Sequence, residues 1–208
     1  MKLKYAGDIL AGLVYLAKHN IYHGDLKPAN ILVTKEKDGT VVAHIADFGG
    51  AHELITDHTE TNLHTGSFTH QYASIAHFKA AAKLLRRQAL RPTQTSPQGG
   101  AFIDRDPNRS NQILMGNDVF AAGIILYELF AGVHPFELKG ATSYQQSFPD
   151  LQTFKGIDLL KEKGVSNGII ALIKEMVGHD PNKPISIEEI AARFEKAVAE
   201  RQSTSNNA

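Results

Sequence analysis

The chain has 208 residues, 42% hydrophobic and 21% charged, enough for one apolar core of ordinary globular composition. Lys plus Arg and Asp plus Glu both number 22, so no overall field draws the chain to nucleic acid or to an anionic membrane, and neither is expected as a partner. Cysteine is absent, which excludes disulfides, thiol catalysis and cysteine-ligated zinc.

In chain order, the first expected element is a helix, because Ile9, Leu10, Leu13, Val14, Leu16 and Ala17 recur at helical spacing. Lys2 and Lys4 ahead of this stretch imitate a secretory leader, but Asp8 and the lack of a small-x-small cleavage site favour a core-facing helix. The stretch is also far short of the roughly 20 apolar residues that span a bilayer. No membrane anchor and a cytoplasmic location are therefore expected. Asn20 breaks the pattern, and residues 21–30, with a proline and few periodic apolar positions, read as a structured loop. Ile31-Leu32-Val33-Thr34 and Val41-Val42-Ala43-His44-Ile45 are β-rich runs around an Asp38-Gly39 turn, so a hairpin is expected that delivers Asp47 beside the loop.

Residues 50–77 are rich in Thr and His and read as an ordered or switchable loop, and residues 91–111 as a mobile insertion. Between them, Phe78 to Ala89 has the pattern of a short basic amphipathic helix. Asn117 is expected to cap an apolar helix from Asp118 to Ala131 that Gly132 ends. Gly168 to Val177 is a further apolar helix. Ser186 with Glu189 forms a capping box before Ile187, Ile190, Ala191, Phe194 and Val198, and the polar tail 202–208 is expected to fray. One domain, residues 1–201 with an insertion at about 78–116, accounts for the whole pattern.

Two metal patterns fail on spacing. His52-Glu53 followed by His58 lacks the two histidines four apart of a zincin helix. Asp104, Asp106, Asn108 and Ser110 alternate like the start of a calcium loop, but Arg109 stands where glycine is needed and Met115 where the bidentate Glu is needed.

The chemistry concentrates in His23-Gly24-Asp25-Leu26-Lys27-Pro28-Ala29-Asn30. Phosphoryl transfer asks for a carboxylate to orient the attacking hydroxyl and accept its proton, a cation for the transferred phosphate, and oxygen ligands for magnesium. Asp25, Lys27 and Asn30 supply these in order, and the odds of matching the informative positions by chance are roughly a few in a million. Asp47-Phe48-Gly49 is weak alone but follows the loop and hairpin, where its carboxylate can bind a magnesium ion that bridges nucleotide phosphates.

These segments resemble the catalytic loop and the metal-binding motif of protein kinases. Asp118-Val119-Phe120-Ala121-Ala122-Gly123, with Leu126-Tyr127-Glu128-Leu129 and Pro135-Phe136, is similar to the family's central buried helix, and Met176 to Pro184 resembles the stretch leading into its last helix. Phe68-Thr69-His70-Gln71-Tyr72-Ala73-Ser74 loosely resembles the end of the activation segment, and Tyr72-Ala73-Ser74-Ile75 its casein kinase variant. The resemblance implies a mainly α fold, the family's C-terminal lobe, with a small β-hairpin at the cleft. It implies ATP and magnesium as cofactors and, through Lys27-Pro28, Ser/Thr protein substrates. By it, Asp25 is the base and Lys27 neutralises the γ-phosphate. Asn30 and Asp47 hold magnesium, Leu32 floors the adenine pocket and Thr69 helps place the substrate hydroxyl. His23, Phe48, Gly49 and Asp118 are structural, Asp118 bracing the catalytic loop.

Departures from the family pattern matter too. Gly24 stands where many kinases carry an Arg that pairs with a phosphorylated activation loop, and Ala-Pro-Glu is missing. No candidate for the glycine-rich loop, the phosphate-gripping Lys or its Glu partner precedes the first helix, so an N-terminal lobe or activating partner is expected to be needed for activity. The bare cleft face, with Leu32, Ile45 and Phe48, is expected to drive self-association. Two alternatives stay open: a pseudokinase-like binding module, and a small-molecule phosphotransferase, since His-Gly-Asp also opens the loop of aminoglycoside and choline kinases.

Overall fold

The computed structural model describes residues 1–53, 63–64, 69–74, 76–77, 101–102, 107–135, 156–178 and 185–206. The expected basic helix at 78–89, the calcium-like aspartates 104 and 106 and most of the expected insertion lie outside these residues. The described fold is mainly helical. Helix α1 is Lys2–Lys18, and strand β1 (Ile21–Tyr22) precedes the hairpin of β2 (Ile31–Lys35) and β3 (Val41–Ile45). Short strands β4 (His52–Glu53), β5 (Leu63–His64) and β6 (Ala101–Phe102) are followed by α2 (Pro107–Ala131), α3 (Ile157–Glu162), α4 (Asn167–Val177) and α5 (Ile187–Asn206).

From Val119 to Tyr127 helix α2 is apolar around its whole circumference, with Val119, Phe120, Ala121, Ala122 and the run Ile124 to Tyr127 all buried. A helix of that kind has to be surrounded. Among the described residues it is the one segment, Asn111–Ala131, long and apolar enough to cross a bilayer, and here it is the core helix that α1, α3 and α4 pack against. Each large aliphatic side chain taken out of water in this way stabilises the fold by roughly 1.5–3 kcal/mol. At Gly123 helices α2 and α4 come so close that a Cβ would lie 2.8 Å from the Cβ of Met176.

Helix α1 buries Ala6, Ile9, Leu10, Leu13 and Leu16, with Val14 and Ala17 partly covered, which is the face expected from its spacing. It packs against α5, where Gly7 lies under the ring of Phe194. Asn20 adopts a left-handed conformation with φ 55° just past the helix, a position that favours Asn or Gly. The hairpin leans on the same helix: Ile45 lies over Gly12, and the Asp8 carboxylate, paired with Lys4 at 2.7 Å, accepts the Ala43 amide at 3.0 Å. Its register is Ile31↔Ile45 through Lys35↔Val41, closed by the Asp38-Gly39 turn with Gly39 at φ +86°. A second ladder pairs β1 with β4, Ile21↔Glu53 and Tyr22↔His52.

Three boundaries differ from the sequence expectation. Helix α2 begins at Pro107, so Asn117 sits inside the helix and is not its cap. The reason lies in its side chain, which has a use elsewhere. Helix α5 runs on to Asn206 through the stretch expected to fray. Of the capping box before it, Ser186 accepts the Glu189 amide at 3.3 Å, but its hydroxyl donates to Glu188 at 2.5 Å, and Glu189 turns instead toward Arg193. Arg193 itself forms a two-pronged pair with Glu175 at 3.1 and 2.6 Å, joining α5 to α4.

Candidate active site

Four pieces of chain meet beside the hairpin: the loop from β1 to β2, the turn after β3, the segment around Thr69, and the middle of α2. The loop is held from beneath. Asp118, buried in α2, accepts the His23 amide at 2.6 Å and the Gly24 amide at 3.1 Å, one on each carboxylate oxygen. Burial pushes this carboxyl up to about 6, against the pull of those two amides, which favour the charged form. His23 is likewise buried. Its Nε2 lies 3.0 Å from the Ala46 carbonyl and its Nδ1 accepts the Asp25 amide at 3.3 Å, a pattern that fits the neutral ring with the proton on Nε2. The imidazole therefore ties the loop to the end of β3.

Gly24 adopts φ +81°, a conformation costly to any residue with a Cβ. A Cβ there would lie 2.6 Å from the Gly50 carbonyl oxygen and 3.0 Å from the Tyr22 ring, so this backbone has no room for a side chain at position 24. The close approach seats the start of the segment after Asp47 directly on the loop.

Asp25 is the centre of the cluster. Its Oδ2 accepts Lys27 Nζ at 2.5 Å and its Oδ1 accepts the Thr69 amide at 2.8 Å, while Lys27 Nζ also donates to the Thr69 hydroxyl at 3.1 Å. Burial raises the Asp25 carboxyl, but the hydrogen bonds from Lys27 and Thr69 and the Lys27 charge outweigh it and hold the group below the usual carboxylate range. It is ionised at neutral pH. Asn30, buried in the 3-10 turn Pro28–Asn30, donates from Nδ2 to the Asp25 carbonyl at 2.8 Å. That leaves the carbonyl end of its amide as the oxygen to offer a cation.

Asp47 follows directly on Ala46, whose amide donates to the Asn30 backbone carbonyl at 2.8 Å, so it lies one residue beyond the position opposite Asn30. Its backbone is left-handed, φ 62° and ψ 73°, and its Oδ1 accepts the Gly49 amide at 3.4 Å. A left-handed aspartate costs conformational energy that the surrounding structure must supply, a common property of functional sites. Phe48 is half exposed with its ring 5.4 Å from that of His23, and Leu32 is 53% exposed on β2.

An amide oxygen and a carboxylate, both hard oxygen donors at the paired ends of one hairpin, suit a magnesium ion. Magnesium is commonly held by one or two protein groups and completed by substrate phosphates. Among the described residues no group of three His, Asp or Glu could enclose a metal unaided.

Some contacts at the site have no counterpart in the sequence expectation. The Asn117 side chain accepts the Ser74 amide at 2.8 Å, and Tyr72 donates its hydroxyl to Glu128 at 3.0 Å. The available signal was chemical: a polar pair, Asn117-Asp118, inside an apolar run must find hydrogen-bond partners once buried.

Comparison with known proteins agrees with the geometry. Residues 2–77 match the protein kinase domain family. The serine/threonine-protein kinase GRIK1 of Arabidopsis thaliana is 26% identical over 188 residues, covering 90% of this chain and 37% of that protein. The proto-oncogene serine/threonine-protein kinase mos of Rattus norvegicus is 46% identical over 71 residues, 33% of this chain and 20% of that protein. Serine/threonine-protein kinase 32B of Homo sapiens is 25% identical over 182 residues, 88% of this chain and 36% of that protein. The chain thus spans between a fifth and little more than a third of these relatives. Together with the loop, hairpin and central helix arranged as above, these matches support a place for the chain in the protein kinase superfamily.

Proposed function

We propose that this chain is the catalytic lobe of a Ser/Thr protein kinase, which transfers the γ-phosphate of ATP to a protein hydroxyl once a second lobe or a partner covers the nucleotide. The observation that carries this reading is the Asp25 carboxylate, bonded at once to Lys27 and to Thr69, a residue 44 positions away. An ionised carboxylate with a depressed pKa is a weak base, so its first task is orientation: it accepts a hydrogen bond from the substrate hydroxyl and aims the oxygen at phosphorus. The new bond joins that oxygen to the γ-phosphorus, the bond to the β–γ bridging oxygen breaks, and the hydroxyl proton passes to Asp25 late in the step. Lys27 turns from Asp25 to the transferred phosphate and balances its charge. Thr69, bonded to both, sets the edge against which the substrate hydroxyl rests. A magnesium ion on Asn30 and Asp47 would neutralise phosphate charge. Leu32 would lie beneath the adenine, and His23, Gly49 and Asp118 would hold the loop and turn in place.

The half-exposed Phe48 and the exposed Leu32 and Val33 need a cover, and an N-terminal lobe or activating partner is the proposed one. Without it, nucleotide would bind at about millimolar affinity, roughly −4 kcal/mol. Titration of the chain with magnesium-ATP at millimolar concentrations is expected to show binding that Asp47→Ala abolishes and Asp25→Asn retains. Equal binding by wild type and Asp47→Ala would overturn the assignment. Binding of a protein partner with no nucleotide binding at all would favour the pseudokinase-like reading, to which the exposed face is equally suited.

A further inference from the structure

Asn117 and Asp118 are consecutive residues in the interior of α2, yet their side chains address two different pieces of chain. Asp118 holds the catalytic loop by the amides of His23 and Gly24. Asn117, 2% exposed, holds the Ser74 amide at 2.8 Å, and the Ser74 hydroxyl in turn accepts the His77 amide at 3.1 Å. Between Ser74 and the site lie only the buried Ala73 and a 3-10 turn, His70–Tyr72, which is closed onto Thr69 by the Tyr72 amide at 2.9 Å. Thr69 then delivers its amide to one oxygen of Asp25 and its hydroxyl to Lys27.

A buried asparagine in an apolar helix is costly twice over, in helix propensity and in desolvation, unless its amide is bonded. The bond it makes is to another segment and not to its own helix. The neutral amide also avoids placing a second negative charge beside Asp118, which an aspartate at the same position would do.

We propose that Asn117 is a positioning residue that sets Thr69 against Asp25, so that one rigid step along α2 fixes the spacing between the catalytic loop and the segment facing the substrate. The catalytic meaning of this spacing rests on the kinase reading above. The positioning itself does not.

The test is amide hydrogen exchange on the intact chain, resolved at single residues, for Asn117→Leu and Asp118→Asn. Asn117→Leu keeps the volume and removes the acceptor. It is expected to speed exchange at Ser74 and Thr69 by roughly tenfold or more while His23 and Gly24 keep their protection. Asp118→Asn is expected to show the reverse pattern. Asn117→Ala, which adds no apolar bulk, is judged on the same amides should the leucine variant fail to fold. Unchanged exchange at Thr69 in the Asn117 variants, or an equal loss of protection throughout the chain, overturns the proposal. The magnesium-ATP titration on the same proteins separates the two readings. Absence of nucleotide binding in the wild type counts against the kinase function and leaves the exchange result to judge Asn117.

Discussion

Two buried titratable groups near the loop pull the pH dependence of stability in opposite directions. Burial holds the His77 imidazole down, to about 4, whereas Asp118 is raised by burial to about 6. Their unfolded values lie near 6.5 and 3.9. As pH falls from about 6.5 to 4, the unfolded chain binds a proton at His77 that the folded chain refuses, so stability is lost. Between about 6 and 4 the folded chain holds a proton on Asp118 that the unfolded chain releases, so stability is gained. The two contributions oppose each other over nearly the same window. His77→Gln removes one of them. Relative to this variant, wild type is expected to lose about 3 kcal/mol between pH 7 and pH 4, a difference that urea unfolding of both proteins at several pH values would register. Parallel stability curves would show that His77 does not titrate as its burial dictates. At this scale the sequence was informative where chemistry dictates residue type at short spacing. Asp25, Lys27 and Asn30 lie within six positions, and the hairpin that brings Asp47 to them is itself a local pattern. The contacts of Asn117 with Ser74, Tyr72 with Glu128 and Asp8 with Ala43 were not readable, because each joins residues 35 to 56 positions apart and leaves no periodic trace.

The elements themselves were mostly readable, since α1, the hairpin and α4 each carry a clean period and a recognisable stop, and α5 carries the period although it runs past its expected end to Asn206. The start of α2 was not, because Pro107 to Gly116 is polar enough to pass for a loop and is helical through continuity with the apolar core helix behind it. The packing of α2 on α4 also decides what Gly123 is for. Glycine inside a helix is unfavourable by about 1 kcal/mol relative to alanine, so propensity alone favours Gly123→Ala. The added Cβ, however, would meet the Cβ of Met176 at 2.8 Å and the Val177 amide nitrogen at 3.3 Å, neither of which can swing aside. Overpacking of this kind costs about 1–3 kcal/mol. The clash is expected to prevail, with a net loss of about 1 kcal/mol read from the denaturant midpoint. A stabilised variant would mean that the two helices slide apart freely.

For the molecule as a whole, the hairpin end carries exposed apolar groups. Among the described residues Leu32, Val33 and Phe48 are each half exposed or more, whereas Ile9, Ile173 and Ile190 on α1, α4 and α5 are buried in the core. Burying such side chains between copies would contribute roughly 1.5–3 kcal/mol each, enough to favour association at concentrations where a charged surface would stay dispersed. Light scattering is expected to show concentration-dependent growth in mass for wild type and a monomer for Leu32→Asp. Equal scattering by both would place any association elsewhere. The packing of α1 on α5 carries a different consequence, for the order in which the protein is made. Within the lobe, Ile9, Leu10 and Leu13 leave the ribosome early, but Ile190 and Phe194 follow only after the rest of the lobe has been translated. At 5–20 residues per second that interval is roughly 10–35 s. Throughout it the apolar face of the first helix waits without its final neighbour, so the growing chain depends on a chaperone or on early docking against α2 to keep that face from other nascent chains.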